Sequence, residues 1–277
     1  MEDWMESTIT WPNGARCAVA ITFDLDGESP WLHRDAALAE RPLHMGMGAY
    51  GPKTGSPRIL KVLERYDIKA GWFIPGWIIE RYPELCREIV RRGHEVGHHG
   101  YLHEKPFFLS GPEEEEALLV RSLDIFQKVL DVRPRGSRAP SCDPSRHTME
   151  LLRKHDFVYH SNLMDADLPY CHKTIHGELV ELPTAWCNDD WVYFGFSAVP
   201  PVGNGIWSQE DVFEIWREEF EGAYEEGGFF NLMGHPQVIG RPSRMRMVER
   251  LIQHMLAKKD VWIARPIEIA EHYLSQR

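Results

Sequence analysis

Cys17–Glu28 reads CAVAITFDLDGE, a largely apolar run followed by two aspartates one residue apart. An apolar run of this length bounded by polar residues is the pattern of a strand buried on both faces, as in parallel sheets covered by helices. Asp24 and Asp26 therefore stand at the carboxyl end of a buried strand. In folds built from parallel strands, that end is where chemistry is placed.

The chain beyond it alternates strand and helix. Ser56–Tyr66 reads as a helix with Pro57 in its first turn, Lys69–Ile74 as a strand, Pro83–Arg92 as a helix and His94–Gly97 as a short strand. Gly111–Leu130 reads as a helix opened by Pro112. Its run Glu113–Glu116 suits the positive end of the helix dipole and a solvated face. Arg135–Ala139, Phe157–Ser161, GELVELPTAW (177–186), Gly228–Met233 and Val261–Ala264 supply further strands. Ser145–Lys154, Asp211–Glu226 and Met245–Lys259 supply helices. This predicts an α/β fold of seven or eight strands, as an open doubly wound sheet or a β/α barrel. No GxGxxG or GxxxxGK[ST] stretch marks a nucleotide site. Gly27–Gly55, with Pro30, Pro42, Pro52 and MGMGAYG (45–51), reads as a long loop serving function or a subunit contact.

Length and charge narrow the function. The 277 residues suit a single domain spanning 1–277, with its core over about 15–265. A formal charge of -11 argues against a nucleic-acid binder, and Arg241, Arg244, Arg246 and Arg250 read as a solvated helix face. Met1–Asn13 is polar and acidic, and no run of 18 apolar residues occurs, which points to a cytoplasmic protein with no membrane partner. The five cysteines lack a close CxxC pair and read as reduced thiols.

The densest chemistry lies in RGHEVGHHGYLHE (92–104). His99 and His103, four apart across Gly100, can turn both rings to one side from the first turn of a helix or the loop entering it. His94 and His98 suit hydrogen-bonded supporting roles. With Asp24 or Asp26, the pair makes a two-histidine, one-aspartate site for a divalent metal with an open position for water. The second aspartate is left to take a proton. Such donors suit Zn2+, and Co2+, Ni2+, Fe2+ or Mn2+ fit them too. Arg138, in RGSRAPS, can hold a carboxylate ionised, and His235, after a strand, can protonate a leaving nitrogen. Trp186, Asp189, Asp190 and Trp191, with Tyr193, Phe194 and Phe196 beside them, read as the wall of a substrate pocket.

In order along the chain, TFDLD (22–26), HHGYLH (98–103), RAP (138–140), WCNDDW (186–191) and NLMGH (231–235) resemble the motifs of the polysaccharide deacetylase, or NodB-homology, family. The resemblance implies a distorted (β/α) barrel and a metal held by Asp26, His99 and His103. It also implies Asp24 as general base, His235 as general acid and Arg138 orienting Asp24, with metal-activated water attacking an amide carbonyl. Leu25 between the aspartates, Gly100 after His99, and GHPQVIGRPSR (234–244) are similar to an intracellular branch of allantoinase-like, cyclic imide hydrolase and peptidoglycan deacetylase-like proteins. That branch implies a homo-oligomer, often a tetramer. The expected activity is hydrolysis of a non-peptide amide bond in a small-molecule substrate, a cyclic imide or ureide. The alternative is a polysaccharide or peptidoglycan N-deacetylase releasing acetate.

Overall fold

The run after Arg16 forms the expected strand, β1 (Cys17–Asp24), and all eight of its residues are buried. The computed structural model describes residues 9–198, 201–203 and 205–277, so the acidic start, Met1–Thr8, lies outside the described residues. β2 (Gly71–Ile74), β3 (Glu95–His98), β4 (Gly136–Ser137), β5 (Tyr159–His160), β6 (Tyr170–Thr174) and β7 (Gly177–Glu181) follow. After a small hairpin, β8 (Ser197–Ala198) and β9 (Pro201–Val202), come β10 (Phe229–Gly234) and β11 (Val261–Ile263).

The main sheet runs β10-β1-β2-β3-β4-β5-β7-β6, with β11 beside the first half of β1. Every pairing in it is parallel except that of β6 with β7. A parallel bridge from Asp189 to Met233 carries the chain after β7 back to β10, which curls the sheet into a distorted barrel. Among the described residues, eight parallel strands agree with the expected seven or eight. β6 escaped the sequence reading because YCHKT is short and polar, a half-exposed edge without an apolar run.

Side chains alternate across a strand. Cys17, Val19, Ile21 and Phe23 pack outward under the helices Ser56–Arg65, Gln209–Glu226 and Pro242–Ala257. Ala18 and Ala20 face the other way, against Phe73, Tyr159, Val180 and Leu182. The same parity puts Thr22 and Asp24 on the inner face, at the carboxyl mouth.

Two expectations fail here. Gly27–Gly55 is a string of short helical turns, Ser29–Arg34, Ala36–Glu40, Pro42–Tyr50 and Gly51–Gly55, and is not an open loop. Its prolines occupy first-turn positions, where a missing N–H costs nothing, so residues read as breakers are starters. Glu115 does not join a solvated face; it is buried and accepts from Ser145 and Thr148 hydroxyls.

Beneath the inner core sits Glu95, its carboxylate accepting from Tyr159 Oη at 2.7 Å and from Ile267 N at 2.9 Å. Tyr159 crosses β4 closely enough that a Cβ on Gly136 would lie 2.0 Å from its ring. Burial drives the Glu95 carboxyl up to about 7 from 4.5, and the two hydrogen bonds restrain it only in part. The folded chain thus favours protonated Glu95. Its contribution is complete below the ordinary glutamate pKa and is lost as pH rises through 7. Urea unfolding across that window should show wild type losing about 3 kcal/mol from this group and Glu95→Gln keeping it. Equal losses in both proteins would refute the assignment.

Candidate active site

The carboxyl ends of β1, β3, β4, β5 and β10 converge on one mouth. From β1, Asp24 points inward and its Oδ1 accepts from Arg138 Nη1 at 2.8 Å. Arg138 is fully buried behind it. The same Nη1 reaches Thr22 Oγ1, while Nε and Nη2 donate to the Ser161 carbonyl and Oγ. A buried guanidinium needs this many acceptors to offset its lost hydration.

Asp24 Oδ2 stays free of Arg138 and lies 4.0 Å from His99 Nε2 and 3.9 Å from His235 Nε2. Asp26 Oδ2 accepts from Gln237 Nε2 at 3.2 Å. Asp26 Oδ1, 3.3 Å from His99 Nε2 and 3.8 Å from His103 Nε2, is buried without a hydrogen-bond partner. A buried, unsatisfied carboxylate oxygen is costly unless something cationic completes it.

The histidines are set for that task. His99 Nδ1 donates to the Arg138 carbonyl at 2.8 Å, which leaves the Nε2 lone pair facing Asp26. His103 follows Gly100 in a loop and not in a helix. Gly100 has φ 74 and His103 itself has φ 66, a left-handed backbone rare for a histidine. Glu104 holds that loop by accepting from the Tyr101 and Leu102 N–H groups. Burial lowers His103 to about 4, so it is neutral, as a ligand must be. Burial opposes ionisation of Asp26 too, but His103 and His99 outweigh it and keep the carboxyl well below its ordinary range. One carboxylate and two imidazoles within 4.8 Å of one another therefore fit a divalent ion.

His235, just past β10, faces the pair from across the mouth. Its Nδ1 donates to Asp190 Oδ1 at 2.7 Å, and its backbone N–H donates to Oδ2 of the same carboxylate at 3.0 Å. Burial disfavours the imidazolium, yet Asp189 and Asp190 more than compensate and raise its pKa well above the ordinary value. The Trp191 ring lies edge-on at 5.3 Å.

These groups line a cavity of 580 Å³ together with Trp186, Asp189 and Trp191. Asp190, expected on its wall, lies instead behind His235 with no exposed surface, both oxygens committed to that residue. Tyr193 and Phe194 belong to the core, whereas Trp186 is half exposed. His94 and His98 take supporting places, on Ala70 N and Ser137 Oγ.

Sequence reasoning missed Ser161, Asn162, Asn231 and Gln237. Asn162 Oδ1 accepts from Ala139 N at 2.7 Å and so pins the peptide whose carbonyl orients His99. The signal was a serine and an asparagine ending a strand, where an apolar pair is usual. Asn162→Ala should cost about 1–3 kcal/mol in unfolding free energy and weaken metal affinity about tenfold. Unchanged affinity would make Asn162 merely structural.

A second histidine cluster lies behind this strut. His160 Nε2 sits 3.0 Å from Glu181 Oε2, with His172 nearby. Because Ala139 fixes the Asn162 amide, its Nδ2 donates to His160 Nδ1 at 2.8 Å, and the proton of neutral His160 is on Nε2. That tautomer suits a histidine–carboxylate pair and not a metal ligand.

A family model described as polysaccharide deacetylase matches residues 49–160. The peptidoglycan deacetylase of Helicobacter pylori is 31% identical, covering 93% of this chain and 96% of its own length. A solved structure of a Mycobacterium smegmatis protein classed as a polysaccharide deacetylase is 39% identical, with a TM-score of 0.95 over 98% of this chain and 94% of that one. Puue allantoinase, 23% identical over 99% of both chains with a TM-score of 0.84, shares the fold.

Proposed function

The chain belongs to the polysaccharide deacetylase family, and from that premise we propose a metal-dependent N-deacetylase acting on an N-acylated amino sugar. As a family member it is a hydrolase of carbon–nitrogen bonds other than peptide bonds. The observation that carries the finer reading is the division of Asp24: one oxygen is fixed by Arg138 and the other is free at the mouth, between His99 and His235.

Asp26, His99 and His103 would hold the ion, which when bound supplies Lewis acidity to an amide carbonyl and to water. Asp24 Oδ2 takes the proton of the attacking water, while Arg138 fixes the carboxylate through Oδ1. His235 Nε2 gives a proton to the departing nitrogen while Asp190 fixes the ring through Nδ1. Trp186 and Trp191 offer apolar faces against which a sugar ring can pack.

A small cyclic imide or ureide is the second reading, since a 580 Å³ cavity with tryptophan walls also suits a single ring. The sequence alone placed that substrate first. A nearly full-length relative named for peptidoglycan deacetylation reverses the order. The proposal extends to zinc as the ion, to one catalytic domain over 1–277, and to a homo-oligomer such as a tetramer. It also includes a cytoplasmic setting, in keeping with five unpaired cysteines. Among the described residues, no helix is long and apolar enough to cross a membrane.

Zinc-supplemented protein should release acetate from an N-acetylglucosamine oligomer and leave succinimide, hydantoin and allantoin intact. Ring opening without acetate release would replace the first reading by the second.

A further inference from the structure

Beside the catalytic cavity, and sharing Trp191 with it, lies a second cavity of 380 Å³. Trp31, Phe194 and Phe196 wall it, and Gln237, Arg241 and Arg244 supply its polar groups. Gln237 is the residue whose Nε2 donates to Asp26; its Oε1 is buried with no hydrogen-bond partner. Arg241 is exposed, as the sequence suggested, and Arg244 is half-buried; aromatic rings hold both in place. The Arg241 guanidinium stacks 3.6 Å from the centre of the Tyr50 ring and that of Arg244 4.4 Å from Phe194, with Arg244 Nη1 donating to the Val238 carbonyl at 2.7 Å.

Among the described residues no carboxylate forms an ion pair with either guanidinium. Arg87, Arg92 and Arg250, by contrast, all have glutamate partners. Burial makes Arg244 less basic, and the neighbouring Arg241 charge adds to that, against the pull of Asp190. Two like charges, held by stacking at the wall of a partly aromatic cavity, suit an anion there. A guanidinium plane fits a carboxylate through two parallel hydrogen bonds, and stacking settles the plane in advance. A chain of net charge -11 does not gather anions by its overall field, so such a contact must be local.

We propose that this second cavity is an anion subsite that takes a carboxylate carried by the substrate whose acyl amide occupies the neighbouring cavity. Resting on the deacetylase reading, the inference narrows the substrate class to N-acylated amino sugars bearing a carboxylate.

The test compares N-acetylmuramic acid with N-acetylglucosamine, an acid and a neutral sugar with the same acylated ring. Binding is read from tryptophan fluorescence in zinc-loaded Asp24→Asn protein. The acid is expected to bind about tenfold more tightly, a preference that shrinks with added salt and falls to about one in Arg241→Met and Arg244→Met. Equal binding of the two sugars, or a preference that survives both substitutions, would overturn the subsite. Should either variant fail to fold, the salt dependence in the parent protein decides: a preference indifferent to salt overturns it equally. Acetate release is measured separately with Asp24 intact. No release from either sugar, with the binding preference intact, would sink the deacetylase reading and leave the subsite standing.

Discussion

Asp24→Asn is expected to lose turnover by about a thousandfold, in the range found for removing a general base, while keeping its metal. The geometry makes the substitution sharper than a simple loss of charge. Arg138 Nη1 needs an acceptor, and in the variant only the amide oxygen can serve. That fixes the amide nitrogen where Asp24 Oδ2 now stands, between His99 and His235, and a carboxamide nitrogen there accepts no proton. The reverse rotamer would set N–H against a buried guanidinium and is disfavoured. Stability should fall as well, because Arg138 is fully buried and Asp24 is its only carboxylate partner among the described residues. The readouts are kcat on the substrate that the wild type turns over and zinc per chain by elemental analysis. Activity within tenfold of wild type would remove Asp24 from the role of base, and loss of zinc would make it a ligand.

Much of this site was legible in the chain because catalytic groups at strand ends leave a double signature: an apolar run that buries the strand, then a polar residue that interrupts it. CAVAITF before Asp24 and FFNLM before Gly234 and His235 are of this kind, and both became strands with the polar residue at the mouth. Asp190 misled the reading because adjacency was taken for equivalence. Asp189 and Asp190 are neighbours, but the first is an N-cap whose Oδ1 accepts from Trp191 N and the second opens the following turn, so they face different ways. Nothing in the local sequence separates two such carboxylates. The strut formed by Ser161 and Asn162 was hidden for a similar reason: its partners, Arg138, Ala139 and Asn231, are 23 or more residues away. Arg241 is exposed, as charge at helical spacing suggested, but Arg244 is half-buried, and nothing local showed that either is stacked. The aromatic rings that hold them come from Tyr50 and Phe194, in segments read as irregular.

Asp26→Ala should abolish zinc-dependent stabilisation. In the wild type, zinc at a hundred times its dissociation constant should raise unfolding free energy by about 2.7 kcal/mol, since the unfolded chain has no assembled site. The variant removes Oδ1, the buried oxygen closest to His99 Nε2, and leaves two imidazoles with no carboxylate on their side of the mouth. Asp24 cannot replace it, because Oδ1 is committed to Arg138 and Oδ2 is 4.0 Å from His99. The affinity loss should exceed the ten- to hundredfold typical of losing an outer partner such as Asn162. Metal-free Asp26→Ala should also be less stable than metal-free wild type near neutral pH. The substitution removes a carboxylate whose ionised form the fold favours, since His103 and His99 outweigh burial, and it leaves Gln237 Nε2 without its acceptor. The gap between the two proteins should therefore widen when zinc is added: the variant melts below wild type in chelator and further below it in excess zinc. Parallel melting curves with the same zinc shift would show that the ion is held elsewhere.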